Sequence, residues 1–286
     1  MSFVAERYLK VLCYSGIPCR QFVISASRDA TLRLWNFTNT DAQRVFIGHE
    51  IAATGVALVE DGSRVCSGSR DNSVRLWDVE TGNCIHTATR AQNLVTHIAW
   101  SKSENLLAQT SEDTELKLWD IRQMDIVHAF AKRQYFQLHC DVHQSGMYCL
   151  TSSNGFNANG CELTLWDLRQ RKLLREFKGH EASVNCAIFL PPLSKDAATR
   201  DPSLLLSVST DHTARLWDAE SGACLSTVSV PSGGVLTSCT GNTDGSVLVG
   251  GMHACLAHLT VSADYGKTSL IPQSMQYKPT SPNEQI

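Results

Sequence analysis

No apolar run in the 286-residue sequence approaches the ~20 residues that a membrane-spanning helix needs. Charge of one sign is equally scarce: 25 Lys and Arg against 28 Asp and Glu leave a formal net charge of -3. That balance lacks the basic field that nucleic acid or an anionic membrane requires, so neither nucleic-acid binding nor membrane insertion is expected. Met1 to Lys10 carries Glu6, Arg7 and Lys10 and has no apolar h-region, which argues against a secretory signal. Helical periodicity is almost absent. So are the GxxxxGK[ST] and GxGxxG phosphate-binding phrases and the GxSxG nucleophile elbow. The eleven cysteines show no CxxC spacing, their number is odd, and most sit in apolar runs such as SVNCAIF and RVCSGS. They read as small buried hydrophobes in a reducing compartment rather than as a disulfide framework, which places the chain in the cytoplasm.

What is present is a repeat. Five of the six tryptophans, Trp35, Trp77, Trp119, Trp166 and Trp217, are separated by 42, 42, 47 and 51 residues. Four of them end near-copies of one phrase: SASRDATLRLWN, SGSRDNSVRLWD, QTSEDTELKLWD and SVSTDHTARLWD. Each phrase reads as a hairpin. In the second repeat Arg64–Ser69 alternates as a strand, Arg70-Asp71-Asn72 supplies turn chemistry, and Val74–Trp77 alternates again. Gly55–Val59 and an Asp61-Gly62 turn precede it, and Cys84–Thr87 follows a Glu80–Asn83 turn. The expectation is four short antiparallel strands per repeat.

Self-similarity at about 40–45 residues ending in Trp-Asp resembles the WD-repeat family over nearly the whole chain. The resemblance implies an all-β propeller of about six visible blades, over residues 8–46, 47–88, 89–130, 131–177, 178–229 and 230–261, with a flexible tail at 262–286. The first blade and ring closure are expected to be incomplete, whereas a full-length relative would have seven or more blades. Tyr8–Cys13 suits the first blade's innermost strand, but no Gly-His precedes it, which leaves a truncated start or a partially open ring. The family also implies a buried polar set of His, Ser or Thr, Asp and the Trp indole. By position this assigns His49, Ser69, Asp71 and Trp77, and again His180, Ser209, Asp211 and Trp217. Partial sets lacking the His fall on Ser27, Asp29 and Trp35, and on Ser111, Asp113 and Trp119. On that ground Asp113 is expected to be more dispensable than Asp211. An indole N–H is donor-only and needs a buried acceptor, so the set is chemically coherent. Because the Ser/His/Asp trio recurs at one offset from a tryptophan, it is read as structural and not as a hydrolase site. No enzyme activity, cofactor or metal is expected.

Departures from the repeat carry information. The fourth repeat reads SSNGFNANGCELTLWDLR, with a Gly- and Asn-rich loop at Asn154–Gly160 in place of its turn Asp. The fifth inserts Pro191-Pro192 through Asp201-Pro202 between its first two strands, and the sixth has Leu259 where the tryptophan belongs. Asn93–Trp100, QTSED, SSNGF and CELTLWDLRQ with Lys178-Gly179-His180 narrow the resemblance, over about Val23 to Leu259, to a cytoplasmic, cilium-associated adaptor of the family.

The expected function is a non-catalytic scaffold that binds other proteins. An alternative comes from Trp119-Asp120-Ile121-Arg122 and Trp166-Asp167-Leu168-Arg169. These WDxR boxes resemble those of substrate receptors that dock on the adaptor of cullin-RING ubiquitin ligases. Against it stands the plainer reading that each Arg pairs with its own turn carboxylate, Asp120 or Asp167. Arg28 and Arg70, with Glu112 and Thr210 at matching positions, define a candidate surface for an acidic or phosphorylated segment, against local pairing between blades. His139, Asp141 and His143 share one strand face but lack a fourth ligand, so they read as strand residues and not as a zinc site.

Overall fold

The computed structural model describes residues 11–16, 22–36, 41–59, 62–89, 93–101, 105–192, 203–230, 234–252, 255–264 and 267–277. Every regular element among them is a β-strand. Blade one comprises β1 (Val11–Gly16), β2 (Phe22–Ser27), β3 (Leu32–Asn36) and β4 (Ala42–Phe46). Blade two comprises β5 (Ala53–Leu58), β6 (Arg64–Ser69), β7 (Val74–Asp78) and β8 (Cys84–Ala88). Blade three comprises β9 (Val95–Ser101), β10 (Leu106–Ser111), β11 (Leu116–Asp120) and β12 (Asp125–Ala129). Blade four has β13 (Gln137–Val142), β14 (Tyr148–Ser153), β15 (Glu162–Asp167) and β16 (Lys172–Lys178). Blade five has β17 (Val184–Phe189), β18 (Leu204–Ser209), β19 (Thr213–Asp218) and β20 (Cys224–Ser229). Blade six has β21 (Leu236–Gly241), β22 (Ser246–Gly251), β23 (Cys255–Asp264) and β24 (Lys267–Tyr277). Each blade is a four-stranded antiparallel sheet in sequence order, the all-β arrangement the repeat phrase implies.

The chain divides into two units, Met1–Gln137 and Leu138–Ile286. In each, the core lies between successive sheets, because a blade is apolar on both faces and buries one against its neighbour. In the first unit, Ile24, Leu32 and Leu34 of blade one pack with Phe46, Val56, Val65 and Trp77. In the second, Leu150, Leu163 and Leu165 of blade four pack with Phe177, Val184, Leu205 and Trp217. Phe46 meets Trp77 edge-on at 5.9 Å, and Phe177 meets Trp217 likewise at 6.0 Å. Six of the described cysteines are buried, but Cys84 and Cys224 are exposed, so the reading of them all as small core residues fails on the outermost strands.

A bulge marks the tryptophan position. The pairing of third and fourth strands shifts register at Leu34/Trp35, Leu76/Trp77, Leu118/Trp119, Leu165/Trp166 and Leu216/Trp217. The same shift falls at His258/Leu259, so the fully buried Leu259 stands where the other blades have tryptophan. Two expectations need correction. The first blade's innermost strand is Val11–Gly16, displaced from Tyr8–Cys13, whose first three residues lie outside the described ones. The tail does not begin at 262: β23 continues to Asp264 and β24 pairs with it through Tyr277. Pro272 lies opposite Leu259 at the bulge on this outermost strand, the kind of position at which a sheet tolerates proline. The tail beyond Tyr277, Asp61 and most of the blade-five insertion lie outside the described residues.

Candidate functional site

In blade two the Trp77 indole N–H donates to Ser67 Oγ at 2.8 Å, and Ser67 Oγ lies 2.6 Å from His49 Nε2. His49 Nδ1 lies 2.8 Å from Asp71 Oδ2. Blade five repeats this: Trp217 to Ser207 at 2.8 Å, Ser207 to His180 at 2.8 Å, and His180 to Asp211 at 2.8 Å. The network fixes the protons. Ser67 accepts from the indole and donates to Nε2, so Nδ1 carries the hydrogen and donates to the carboxylate. The assignment of Ser69 and Ser209 is therefore wrong by two residues. Those hydroxyls donate instead to Ile51 O and Ala182 O and accept the N–H of Asp71 and Asp211. The cause is cross-strand geometry. Val65 stands opposite Trp77 and Ser67 opposite Arg75, so the indole reaches diagonally to Ser67, while Ser69 lies beside the turn.

Burial would raise the Asp71 carboxyl, but His49, the Ser73 hydroxyl and the Glu50 N–H outweigh it and hold the group well below the usual carboxylate range. Asp211 is held low in the same way, with burial opposed by His180, Thr213 and Glu181. Burial also lowers His180, against the pull of Asp211, so its imidazole stays neutral. The glycine before each His has a steric reason. A Cβ on Gly48 would stand 2.8 Å from Arg75 and 3.0 Å from the Trp77 ring, and one on Gly179 would stand 2.7 Å from Arg215.

Blades one, three and four keep the indole acceptor with other residues. Trp35 donates to Ser25 Oγ at 2.7 Å, Trp119 to Gln109 Oε1 at 2.6 Å, and Trp166 to Thr151 Oγ1 at 3.0 Å. Ser27 and Ser111 are thus not indole partners either. Ser27 accepts the Asp29 N–H, and Ser111 donates to Asp113. Where no His reaches the turn Asp, the residue two before the tryptophan does. Arg33 Nη2 lies 3.3 Å from Asp29, and the buried Lys117 ammonium contacts Asp113 and, at 3.5 Å, Glu115. Lys117 is only 2 % exposed, so Asp113 is not the dispensable member that the missing His suggests.

These networks absorb the Ser, His and Asp side chains in the fold and leave the surface to turns and loops. Arg70 Nη2 lies 3.3 Å from Glu112 of the next blade, and Thr210 accepts the Asn185 amide at 3.0 Å. Arg28 is exposed. Local pairing thus joins Arg70 to Glu112, and the Arg70 side chain remains half exposed. Arg122 grips Asp120 with two bonds, Nε to Oδ1 at 3.1 Å and Nη2 to Oδ2 at 2.9 Å, and thereby lowers the Asp120 carboxyl. Arg169 departs from the paired reading: Asp167 accepts its backbone N–H, and its guanidinium lies 3.3 Å from Met147 Sδ. His139, Asp141 and His143 diverge. His139 Nε2 lies 3.5 Å from Cys186 Sγ, Asp141 accepts the Phe189 N–H at 2.9 Å, and His143 pairs with Ser145. Among the described residues no group of three or more His, Cys, Asp and Glu is arranged to hold a metal ion.

The most exposed apolar side chains were not legible in the repeat. Ile47 is 77 % exposed and flanks, with Ile51, the Gly48-His49 entry to blade two. Phe156, 74 % exposed, tips the Asn154–Gly160 loop. That loop is held in place. Ser183 Oγ donates to Asn154 Oδ1 at 2.6 Å and to Gly155 O at 2.9 Å, and the Ala158 N–H reaches Glu181 O at 2.9 Å. A Cβ on Gly155 would fall 2.1 Å from the Gly160 backbone, so the loop closes on itself.

The model of the WD domain, G-beta repeat, matches residues 8–36, 41–78 and 171–218. That of the anaphase-promoting complex subunit 4 WD40 domain matches 87–143. The nuclear distribution protein PAC1 of Arthroderma benhamiae and that of Trichophyton verrucosum are each 37 % identical over 67 residues. Those residues are 23 % of this chain and 14 % of the relative, so the likeness spans a small part of either. Among solved structures, U3-55K superposes with a TM-score of 0.80 at 17 % identity, covering 95 % of this chain and 83 % of that one. The RRP9 WD40 repeats superpose at 0.77 and 18 % identity, covering 92 % and 81 %. At such identities the likeness is one of fold.

Proposed function

We propose that this chain, a WD-repeat protein, works as a non-catalytic scaffold that binds other proteins through its loops. The observation that carries the reading is Phe156, an apolar ring exposed on a loop fixed by hydrogen bonds to blade five. A rigid exposed aromatic loses little conformational freedom on binding and is the kind of side chain that dominates protein interfaces. The Ser–His–Asp sets, by contrast, are tied to indoles and turns and offer no free nucleophile–base pair. The test is quantitative affinity purification of the full chain against Phe156→Ser. Loss of a specific set of partners with unchanged thermal unfolding supports the reading. An unchanged partner set moves the surface to Ile47 and Ile51, and no partner with either protein ends it.

Two finer assignments rest on sequence phrases. SSNGF and CELTLWDLRQ resemble WD repeat-containing protein 31, which makes a cytoplasmic, cilium-associated adaptor the first pathway to test by localising the tagged chain. The ubiquitin-ligase receptor reading has one structural support: Arg122 is 68 % exposed, and its fork keeps free donors beyond the two that hold Asp120. Absence of the cullin adaptor from the purified wild-type complex ends that alternative.

A further inference from the structure

One buried polar chain belongs to none of the indole networks. On the first strands of blades four, five and six, His139 Nε2 lies 3.5 Å from Cys186 Sγ, and Cys186 Sγ lies 3.6 Å from Cys239 Sγ. The two cysteines are 53 residues apart in sequence and belong to different sheets. Each follows closely on a register shift, at Val184/Cys186 in β17 and at Leu236/Ser238 in β21, where a strand re-aims its side chains. Cys186 is buried and Cys239 only half-buried, so the pair has one open side.

We propose that Cys186 and Cys239, with His139 as charge partner, form a peroxide-reactive thiol pair that closes to a disulfide between blades five and six. The Cys239 thiol donates to Cys186, and His139 Nε2 lies against the same sulfur; together they overcome burial and hold the Cys186 thiol well below its ordinary range. The same contacts raise Cys239, which keeps its proton. The proximity of Cys186 raises His139 against its own burial. Asp141, two residues from His139 on β13, is a further ionisable neighbour, and burial pushes its carboxyl up to about 6. A thiolate, not a thiol, is the nucleophile, so Cys186 reacts first.

The oxidant class is a small hydroperoxide, since a bulky disulfide cannot reach a sulfur this enclosed. The Cys186 thiolate attacks one oxygen of hydrogen peroxide, the O–O bond breaks, and the leaving hydroxide takes the His139 proton and departs as water. Cys239 sulfur then attacks the Cys186 sulfenic acid. The S–S bond forms, the S–O bond breaks, and the second hydroxide leaves as water with the Cys239 proton. Two thiols lose two electrons and one peroxide gains them. Bond formation at about 2.05 Å requires the sulfurs to close by about 1.5 Å, within reach of side-chain rotation.

The test exposes the full chain to graded hydrogen peroxide, blocks remaining thiols and maps unreduced peptides by mass spectrometry. The expected product is a 186–239 linked peptide lacking two hydrogens, formed at lower dose than oxidation of the exposed Cys84 and Cys224, with a raised Tm. In Cys239→Ser the reaction should stop at a dimedone-reactive Cys186. In His139→Gln it should slow about tenfold near neutral pH, with its pH profile moved upward as thiolate is lost. Folding of both variants is checked by thermal unfolding in the reduced state. Absence of the linked peptide overturns the proposal, as does prior oxidation of Cys84 and Cys224. So does stoichiometric zinc in the isolated protein that His139→Gln releases, which would make the three side chains metal ligands.

Discussion

In blade five the Asp211 carboxylate meets a neutral imidazole brought in by a Gly-His loop, whereas in blade three the Asp113 carboxylate meets a buried ammonium from its own sheet. The same oxygen of each carboxylate is engaged, and the same turn is held. Lys117 and Arg215 occupy equivalent places, two residues before the tryptophan and opposite Gln109 and Ser207. With His180 present, Arg215 is half-buried, with its Nε 3.5 Å from Thr213 Oγ1 and its guanidinium beside Gly179. Without a His, the long side chain folds inward and its charge replaces the imidazole's hydrogen. A repeat can thus lose a signature residue and keep its geometry, at the cost of burying an ion pair.

That contrast sets the largest expected effect. Asp113→Ala takes the nearest carboxylate from a buried ammonium and should cost about 3 kcal/mol in a urea titration, more than Asp211→Ala at about 2 kcal/mol. Adding Lys117→Met to Asp113→Ala should restore most of the loss. Equal losses at the two aspartates, or no rescue, would break the comparison.

A smaller effect separates the two serines of one strand. Ser207→Ala leaves the Trp217 N–H and His180 Nε2 without their partner and should cost about 2 kcal/mol. Ser209→Ala removes the bond donated to Ala182 O and the one accepted from the Asp211 N–H, both beside the turn, and should cost about 1 kcal/mol. The reverse order would return the indole to the turn-side serine.

Acid sharpens the comparison most gently. His180 is lowered, so its stabilising neutral form is fully present above the ordinary histidine range of about 6.5 and is lost as pH falls through its folded value. Asp211 is also lowered, and its contribution persists until pH falls below the ordinary carboxylate range of about 4. The melting temperature should therefore decline from pH 7 to pH 5 in the native chain and decline less in His180→Asn. Identical slopes would assign the decline elsewhere.

Strand boundaries in the second repeat were readable to within two residues, because Trp-Asp spacing, alternation and turn residues all point the same way. The indole acceptor was not, since Ser67 and Ser69 share one strand face and the choice depends on a diagonal across the sheet. A signal for it does exist. Ser25, Ser67, Gln109 and Ser207 each lie ten residues before their tryptophan, and Thr151 lies fifteen before, the excess matching the longer turn of blade four. Lys117 was hidden because a lysine in a strand reads as a solvent-facing residue, and β24 because Pro272 and the polar residues around it read as a tail.

Between neighbouring sheets of each unit runs a small set of side-chain-to-backbone bonds. Thr54 Oγ1 donates to Val95 O at 2.7 Å, Thr96 Oγ1 to Gln137 O at 2.6 Å, and Asn185 Nδ2 to Leu236 O at 2.6 Å. Each comes from a first strand and lands on the opening of the next, so a sheet is anchored at the residue where its successor begins. Such a chain of anchors behaves as a line of nearest-neighbour couplings, in which losing one sheet loosens the next before any other. Amide exchange should then report opening that passes between anchored neighbouring sheets within a unit, with Thr54→Val, Thr96→Val and Asn185→Leu each breaking the coupling at its own position.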